Sequence, residues 1–501
     1  MLALVAGAAV RVEQYASNRS LWLDEANLSL NLIHRNLGQL AKPLDYEQGA
    51  PVGWLWIQRL VVVTFGSSEY ALRAVPLLCG LGALIVLTAI ARRAIGAWAG
   101  ASAALMLGLA PAAVRYSSEV KQYSSDVLIA ALLVLITLIV QERALAAKWL
   151  WAWAGFAALS PWLSHPALIV VPACAVGLGV DLIVRHKIAA LPRLVAATTG
   201  WVISALLLYV VSLRALARDQ FLRSYWATDM APRRLSVHGY LSWLWHVLPA
   251  LYRDPGHLGL PLLAIALTAA GFAVLLERRQ ITLAATLLTM AGLAIVAASL
   301  DHYPLGGRLA LYLLVVVVLS MSAVVDWSAT RLRHGGGLAL VAVAVVLASA
   351  MSATASYARH PFATPDTRDV LRFVRDHRQP GDQVWVQWPE IANAQFYAPK
   401  LKVAADAYLG DGTGTGSGGC TGQTPAQASR GGGAWVVFGY KLSKAPTTER
   451  ASIVATLDQE ATLRAQVERG GAVAYLFEFA GPPHVAAPPF VPLQCLVVVP
   501  L

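Results

Sequence analysis

The sequence predicts a polytopic α-helical membrane protein with about 11 spans, followed by a small C-terminal extracytoplasmic α/β domain. Only 13% of the 501 residues are charged and 57% are hydrophobic, whereas about a quarter of the residues of soluble domains are charged. The mean hydropathy is +0.57. Apolar segments long enough to cross a bilayer recur up to residue 357, and the composition changes in 358–501.

A spanning helix needs about 20 mostly apolar residues. Qualifying segments lie near 70–91, 97–115, 126–140, 149–164, 166–184, 194–213, 257–276, 281–300, 309–327 and 337–357. The opening MLALVAGAAV is apolar, but as a helix it reaches only about 15 Å of a bilayer core about 30 Å thick. It lacks the basic region and cleavage site of a signal peptide. We therefore expect a clipped first span, which brings the count to about 11.

Basic residues in the short connections predict the orientation. They occupy every second connection: Arg92 and Arg93, Arg143 and Lys148, Arg185, Lys187 and Arg193, Arg278 and Arg279, and Arg331 and Arg333. The positive-inside rule makes these connections cytoplasmic. The outward segments are then 11–69, 116–125, 164–166, 214–256, 301–308 and everything after about 358. This distribution also explains the net charge of +11 without nucleic acid, which would favour one basic face.

The outward C-terminal region, 358–501, alternates predicted helices and strands, which is typical of a small α/β domain. TRDVLRFVRDHR predicts a helix with acids near its start and arginines near its end, as the helix dipole favours. QVWVQW, AWVVFG and AVAYLFEF predict strands, and IANAQFYA and residues 447–468 predict helices.

Two features of this region have alternative interpretations. The stretch GDGTGTGSGG, residues 410–419, resembles a phosphate cradle but lacks the Walker lysine and a following helix start, so we expect a flexible loop. Cys420 and Cys495 both face an oxidising exterior, which permits a disulfide between them. Four cysteines are too few for a disulfide-built scaffold.

Ionisable residues concentrate in the outward segments. The first outer loop, 11–69, holds SLWLDEANLSL with Asp24 and Glu25, and also Arg59; Arg73 follows where the next span begins. The second reads VRYSSEVKQYSSD, in which helical offsets would put Glu119, Gln122, Tyr123 and Asp126 on one face, away from Lys121. His165 and the segment DHYPLGGR, with Tyr303 and Arg308, complete the set.

Structural roles compete with functional ones for these residues. Acids in the first turn of a helix are stabilised by its dipole by about 0.3–1 kcal/mol, and NLSLNLIHRNLGQL can form an interfacial amphipathic helix. His165 between Ser164 and Pro166 suits a structural corner. Trp22, Trp54 and Trp56 suit an interfacial aromatic belt. Charges at the ends of spans are, however, costly unless they are paired or functional.

An acid pair together with several cations on one side of the membrane suits displacement of a phosphate from a sugar. A carboxylate can deprotonate an acceptor hydroxyl, and fixed cations can stabilise the departing phosphate. The sequence has no metal-ligand spacing such as HExxH or paired CxxC, so we expect no metal and no cofactor.

Four stretches, SLWLDEA, GSSEYALRAVPLLCG, SSEVKQYSSD and HYPLGGRLALYL, resemble bacterial membrane glycosyltransferases of the GT-C superfold. The resemblance covers roughly residues 1–330. The similar branch, family 39-like, contains protein O-mannosyltransferases and the aminoarabinose transferase of lipid A. It implies a GT-C-like transmembrane catalytic domain over 1–357 and an exported domain over 358–501. It also implies inverting transfer from a polyprenyl-phosphate sugar donor to a glycan, lipid or protein acceptor.

The resemblance also implies roles for individual residues. Asp24 matches the family's base, with Glu25 beside it, and the second acid is Glu119 or Asp126. Lys121 and Arg308 would bind the donor phosphate, as would Arg59 and Arg73. Tyr123, His165 and Tyr303 are candidate substrate contacts. The resemblance implies an enzyme of the bacterial inner membrane, among its lipids. The positive-inside rule predicts a cytoplasmic amino terminus and a periplasmic C-terminal domain.

A transporter or flippase of lipid-linked sugars is the main alternative. Transporters place their sites near the bilayer midplane on interrupted helices and show internal repeats, but here the ionisable residues gather at one face. An inactive scaffold whose outer domain binds a partner is the third class, and the intact set of acids and cations argues against it.

Overall fold

The computed structural model describes residues 1–232, 236–331, 336–387, 390–403, 407–409, 432–439 and 444–480. Cys420, Cys495 and the segment 410–419 lie outside the described residues, so the disulfide and the glycine-rich loop stay predictions.

The described residues are mainly helical. In chain order the α-helices are α1 (Leu2–Ala16), α2 (Leu23–His34), α3 (Val52–Phe65), α4 (Glu69–Ala94), α5 (Ala97–Gly108), α6 (Pro111–Tyr116), α7 (Tyr123–Glu142), α8 (Ala147–Leu163), α9 (Ala167–Val184), α10 (Leu191–Leu208), α11 (Arg214–Leu216), α12 (Gln220–Tyr225), α13 (Val237–Arg253), α14 (Pro261–Glu277), α15 (Ile281–Ser299), α16 (Leu314–Thr330), α17 (Gly336–Arg359), α18 (Thr367–His377), α19 (Ile391–Leu401) and α20 (Lys444–Glu460). Short 3-10 turns lie at Gln39–Ala41, Asp45–Glu47, Ile188–Ala190, Ala227–Asp229 and Gly307–Leu313, and a π-helical turn at Tyr209–Leu213.

Seven helices among the described residues are long and apolar enough to cross a membrane, which makes this a multi-pass membrane protein and confirms the predicted class. They are Glu69–Ala94, Tyr123–Glu142, Ala167–Val184, Ile188–Leu216, Ile281–Ser299, Gly307–Thr330 and Gly337–Arg359. Shorter apolar helices are Val52–Phe65, Ala97–Gly108 and Pro261–Glu277. The count of about 11 spans stays a prediction.

Two local predictions in this region were wrong. The predicted span 97–115 is interrupted, because α5 ends at Gly108 and α6 begins at Pro111. Proline lacks an N–H group and disfavours helical geometry in the residue before it, and Ala110 is indeed extended. The apolar helix α3 was also missed, since 11–69 was predicted to be an outer loop.

The chain divides into two compact units. The first, here the helical unit, contains Met1–Ser17, Asn36–Pro43 and Gly49–Phe362. The second, here the sheet unit, contains Asn18–Arg35, Leu44–Gln48 and Ala363–Leu501. Two segments of the predicted first outer loop, one of them carrying helix α2, thus group with the C-terminal residues. The division into domains 1–357 and 358–501 stays a prediction.

In the helical unit, α1 packs against α5 through two glycines. A Cβ atom on Gly7 would lie 2.6 Å from the Cα atom of Gly108, a distance that only glycine permits. Arg11 is buried and donates to the carbonyl oxygens of Gly108 and Leu107 at 3.0 and 2.8 Å. These carbonyls end α5, where a cation is favoured by the helix dipole and by unsatisfied carbonyl groups. Arg11 thereby fastens α1 to α5.

The sheet unit contains a five-stranded sheet in the order β2-β1-β3-β5-β4. Its strands are β1 (Gln383–Gln387), β2 (Ala407–Leu409), β3 (Gly433–Phe438), β4 (Ala461–Arg469) and β5 (Ala472–Phe479). β1 pairs in parallel with β2 and β3, and β5 pairs antiparallel with β3 and β4.

The secondary-structure predictions for the C-terminal region are mostly confirmed, with α18, α19, β1, β3 and β5 where the sequence placed them. The helix predicted over 447–468 is wrong from residue 461 onward, because the helix ends at Glu460. There it is replaced by β4, which pairs with β5 across Gly470 and Gly471. Both glycines have positive φ, 57° and 96°, which favours the tight turn of a β-hairpin.

Candidate active site

Helix α2 of the sheet unit carries the acid pair in its first turn. The Glu25 side chain is fully buried, and one of its carboxylate oxygens accepts the backbone N–H of Trp22 at 3.3 Å. Such a bond satisfies one of the donors that a helix start leaves without a partner. Glu25 therefore has a capping role in the structure, while Asp24 is half-buried beside it. Both carboxylates lie where the helix dipole stabilises negative charge.

Residues 116–125, the predicted second outer segment, do not form a continuous helix. Residues 117–122 form turns, and α7 begins only at Tyr123, so Glu119 and Gln122 do not share a helical face with Tyr123 and Asp126. The turn is held by a side-chain contact, in which Arg115 Nε donates to Glu119 Oε2 at 3.0 Å. Glu119 is fully buried and Lys121 is 4% exposed.

Sequence reasoning missed Arg115 as the partner of Glu119. Its guanidinium carbon also lies 4.2 Å from the centre of the Phe362 ring and 5.4 Å from that of Tyr116. The spacing of four residues to Glu119 was the available signal, because such pairs face each other on a helix. The contact shows that Glu119 orders its own segment through Arg115.

Arg308 lies between two aromatic rings of the helical unit. Its guanidinium carbon is 5.8 Å from the centre of the Tyr123 ring and 5.3 Å from that of Trp226, which are distances typical of cation–π contact. Tyr123 also packs edge-on against Tyr116, with ring centres 5.0 Å apart. The structure thus brings Arg308, a predicted phosphate ligand, to Tyr123, a predicted substrate contact.

Trp226 was not predicted. It follows α12 in a segment that is tied to the loop carrying Arg308, because the Leu305 N–H donates to the Asp229 carbonyl oxygen at 2.9 Å. Arg308 itself opens the 3-10 turn Gly307–Leu313, at a glycine with φ of 48°. No local pattern in 214–256 indicates that this tryptophan meets a residue some 80 positions later, since the pairing depends on tertiary contacts.

Asp126 lies in the first turn of α7 and is 3% exposed. Its Oδ1 atom and the Oη atom of Tyr312 are buried and have no hydrogen-bond partner among the described residues. Tyr303 packs against Tyr312, with ring centres 6.3 Å apart. Burial raises the pKa of Tyr303 well above its ordinary value, and the nearby Asp126 carboxylate raises it further. Asp126, Tyr303 and Tyr312, here the buried polar group, therefore lie close together.

Three other predicted residues have different surroundings. Arg59 is half-buried on α3. Arg73 is 1% exposed on α4, close enough to Tyr15 to lower the pKa of that phenol, whose net pKa is raised mainly by burial. His165 lies between α8 and α9, and burial lowers its pKa to about 4, so the ring is neutral near pH 7. Its Nε2 atom is buried without a hydrogen-bond partner among the described residues.

Among the residues that the structure describes, no group of three or more His, Cys, Asp or Glu side chains could hold a metal ion. That the protein works without a metal or a cofactor stays a prediction. The described cysteines, Cys79 and Cys174, are free thiols.

Comparisons with known proteins identify the fold. Residues 49–212 match the family model described as dolichyl-phosphate-mannose-protein mannosyltransferase. The chain is similar to ArnT from Cupriavidus metallidurans in the apo state, with TM-score 0.54, 16% identity and coverage of 94% of this chain and 97% of that one. For ArnT bound to undecaprenyl phosphate these values are 0.53, 12%, 95% and 97%. A search of curated proteins finds no match.

The chain therefore has the fold of the GT-C membrane glycosyltransferases, and the predicted resemblance to family 39-like members is confirmed. The family model covers the stretch that contains Arg59, Arg73, Glu119, Lys121 and Asp126.

Proposed function

We propose that the protein is a glycosyltransferase that moves a sugar from a polyprenyl-phosphate donor to an acceptor hydroxyl, with inversion, on the extracytoplasmic face of the inner membrane. The observation that carries the proposal is the half-buried guanidinium of Arg308, oriented by two aromatic rings. It occurs in a chain with the fold of ArnT, and ArnT has been crystallised with undecaprenyl phosphate.

The proposed reaction is a single displacement. The Asp24 carboxylate takes the proton of the acceptor hydroxyl, and the hydroxyl oxygen forms a bond to the anomeric carbon as the bond from that carbon to the phosphate oxygen breaks. The electron pair of the broken bond goes to the phosphate, which leaves as polyprenyl phosphate. Lys121 and Arg308 stabilise the charge that develops on this leaving group.

Other residues have supporting roles in the proposal. Glu25 shapes the start of α2, and Glu119 orders its segment through Arg115. Asp126 is then the better candidate for the second acid, because one of its buried oxygens has no partner among the described residues. Tyr123, Tyr303 and His165 would contact substrate, and Arg59 and Arg73 are further candidates for the phosphate. The exported orientation of the sheet unit is part of the proposal.

A donor assay tests this function. Purified protein in nanodiscs is given a panel of radiolabelled polyprenyl-phosphate sugars together with a bacterial envelope extract as the source of acceptor hydroxyls, and both donor binding and release of polyprenyl phosphate are measured. We expect Asp24→Asn to retain binding but lose release by at least about 100-fold, the usual contribution of a general base.

Asp45→Asn is the matched control, since Asp45 belongs to the same unit and pairs with Arg35 at 2.6 Å with 54% of its side chain exposed. Turnover by Asp24→Asn equal to that of the control would remove the base assignment. Donor binding without release in the wild type, with sugar transport into vesicles, would instead establish the flippase.

A further inference from the structure

Within the sheet unit, helix α18 and the loop that precedes it form hydrogen bonds with the segment just before α2. The Thr364 hydroxyl donates to the Ser20 carbonyl oxygen at 2.9 Å, and an Arg368 guanidinium nitrogen donates to that of Asn18 at 2.9 Å. The Ser20 hydroxyl in turn donates to the Asp366 carboxylate. Residues 18–20 are thus tied to a segment nearly 350 positions later in the chain.

The next contact holds Leu21, two residues before the start of α2. The backbone N–H of Leu21 donates to the phenol oxygen of Tyr397 at 2.7 Å. Leu21 is fully buried and Tyr397 is 2% exposed, so water does not compete for this bond. Asp24 follows three residues later in the first turn of α2. Any shift of the Leu21 backbone therefore moves the Asp24 carboxylate.

Helix α19, which carries Tyr397, also packs along α2 and holds the segment beyond it. The Tyr46 hydroxyl donates to Gln395 Oε1 at 2.6 Å. Tyr46 has the left-handed backbone angles φ 61° and ψ 29°, which are unfavourable for a residue with a side chain. A conformation of this kind persists only where the surroundings enforce it, and the bond to Gln395 is such a constraint.

We propose that Tyr397 is a positioning residue for Asp24, and that α19 of the exported sheet unit sets the geometry of the acid-bearing helix. The proposal rests on the proposed function, in which Asp24 is the base. It gives the C-terminal residues a part in catalysis: Tyr397 holds the segment just before α2 and Gln395 holds the Asp45–Glu47 turn, so that the carboxylate is fixed before substrate arrives.

The test uses the full-length protein in nanodiscs with Tyr397→Phe, which removes one oxygen atom and keeps the ring. Tyr475→Phe is the matched control, because Tyr475 belongs to the same unit and packs its ring against Phe438 and Phe477 in the sheet. Hydrogen–deuterium exchange of peptides covering 23–34 reports directly on α2. Steady-state release of polyprenyl phosphate gives kcat and KM, and binding of undecaprenyl phosphate gives Kd.

We expect Tyr397→Phe to raise the exchange of α2 and to lower kcat by about five- to tenfold, the range of one hydrogen bond, with Kd unchanged. Tyr475→Phe should change none of these. Tyr46→Phe, which removes the bond to Gln395, should repeat the effect and serves if Tyr397→Phe fails to fold.

Unchanged exchange of α2 in Tyr397→Phe would overturn the positioning role. Increased exchange with unchanged kcat would overturn its link to catalysis. A wild-type protein that releases no polyprenyl phosphate from any donor in the presence of the acceptor extract would refute the proposed function instead, and the exchange result would then decide by itself whether α19 holds α2.

Discussion

Two buried clusters of charge in the helical unit differ in how completely they are satisfied. Near the end of α16, Asp326 accepts the backbone N–H groups of Trp98 and Ala99 at 3.1 and 3.2 Å and an Arg278 guanidinium nitrogen at 2.6 Å. Arg278 also donates to the Ile95 carbonyl oxygen at 3.1 Å. This cluster, here the Asp326 cluster, joins the start of α5 to α16 and to the end of α14.

Just before α16 begins, two buried polar atoms of the second cluster are not satisfied in this way. Arg308 faces two aromatic rings, and Asp126 and Tyr312 each bury a polar atom that has no hydrogen-bond partner among the described residues. Leaving a buried polar atom unsatisfied costs about 1–3 kcal/mol. Groups of this kind are expected where a substrate will supply the missing partner. The difference teaches that burial of charge alone does not mark a site, and that buried polar atoms without a partner support a site only where charged and aromatic groups gather around them, as they do here.

The largest expected effect separates the two aspartates. Asp126→Asn should reduce polyprenyl phosphate release by about 100-fold, if Asp126 is the second acid, with the melting temperature in detergent unchanged. Asp326→Asn should leave turnover per folded molecule unchanged. It should destabilise the fold by about 2–3 kcal/mol, a value reduced because 27% of the Arg278 side chain is exposed. Thermal unfolding and release assays on both variants check this, and equal melting losses would break the comparison.

Arg308 and Arg278 should also differ, the first in its effect on lipid binding and the second in its effect on stability. Arg308→Ala should weaken binding of undecaprenyl phosphate by about 30- to 100-fold, since a hydrogen bond to a charged group contributes about 1.5–3 kcal/mol. Arg278→Ala should leave this binding intact and lower the melting temperature. Isothermal titration with undecaprenyl phosphate in nanodiscs measures the binding by both variants, and thermal unfolding measures their stability. Unchanged affinity of Arg308→Ala for this lipid would return Arg308 to an anchoring role.

A smaller effect is expected at Trp226. Trp226→Leu should weaken binding of the same lipid by about two- to fivefold, because a cation–π contact at a partly exposed position contributes about 0.5–1 kcal/mol. Trp226→Phe, which keeps an aromatic face, should retain most of the affinity that Trp226→Leu loses. A full loss in Trp226→Phe would mean that the tryptophan acts through something other than the face of its ring.

The smallest effect concerns pH. His165 has a folded-state pKa of about 4 against an ordinary value of 6.5. Between these pH values the unfolded chain is protonated at His165 and the folded chain is not. Stability should therefore fall as pH decreases from 6.5 towards 4, and be constant above that window. His165→Gln should flatten this slope in melting curves at pH 7.5 and 5. The exposed His302 offers a control, and an equal flattening by His302→Gln would argue against the assignment.

Helices and strands whose signals lie within a short stretch of sequence were predictable. The helix α18 and its N-cap Asp366, which accepts the Asp369 N–H at 3.3 Å, follow from capping chemistry and charge placement. The strands β1, β3 and β5 follow from short apolar runs. β4 was missed because its polar outer face hides the alternation, and the Gly470-Gly471 turn was the stronger signal.

The sequence by itself determined the membrane class, most of the spans, the GT-C resemblance and the residues that carry charge on the predicted outer side. Hydropathy, composition and motifs are properties of residues near one another in sequence, so they can be read without knowledge of the fold. Only the tertiary structure decided which charge meets which partner. Arg115 satisfies Glu119, Trp226 faces Arg308, and Leu21 meets Tyr397 across 376 positions of sequence. Such contacts form because packing brings distant segments together, and no local periodicity encodes them.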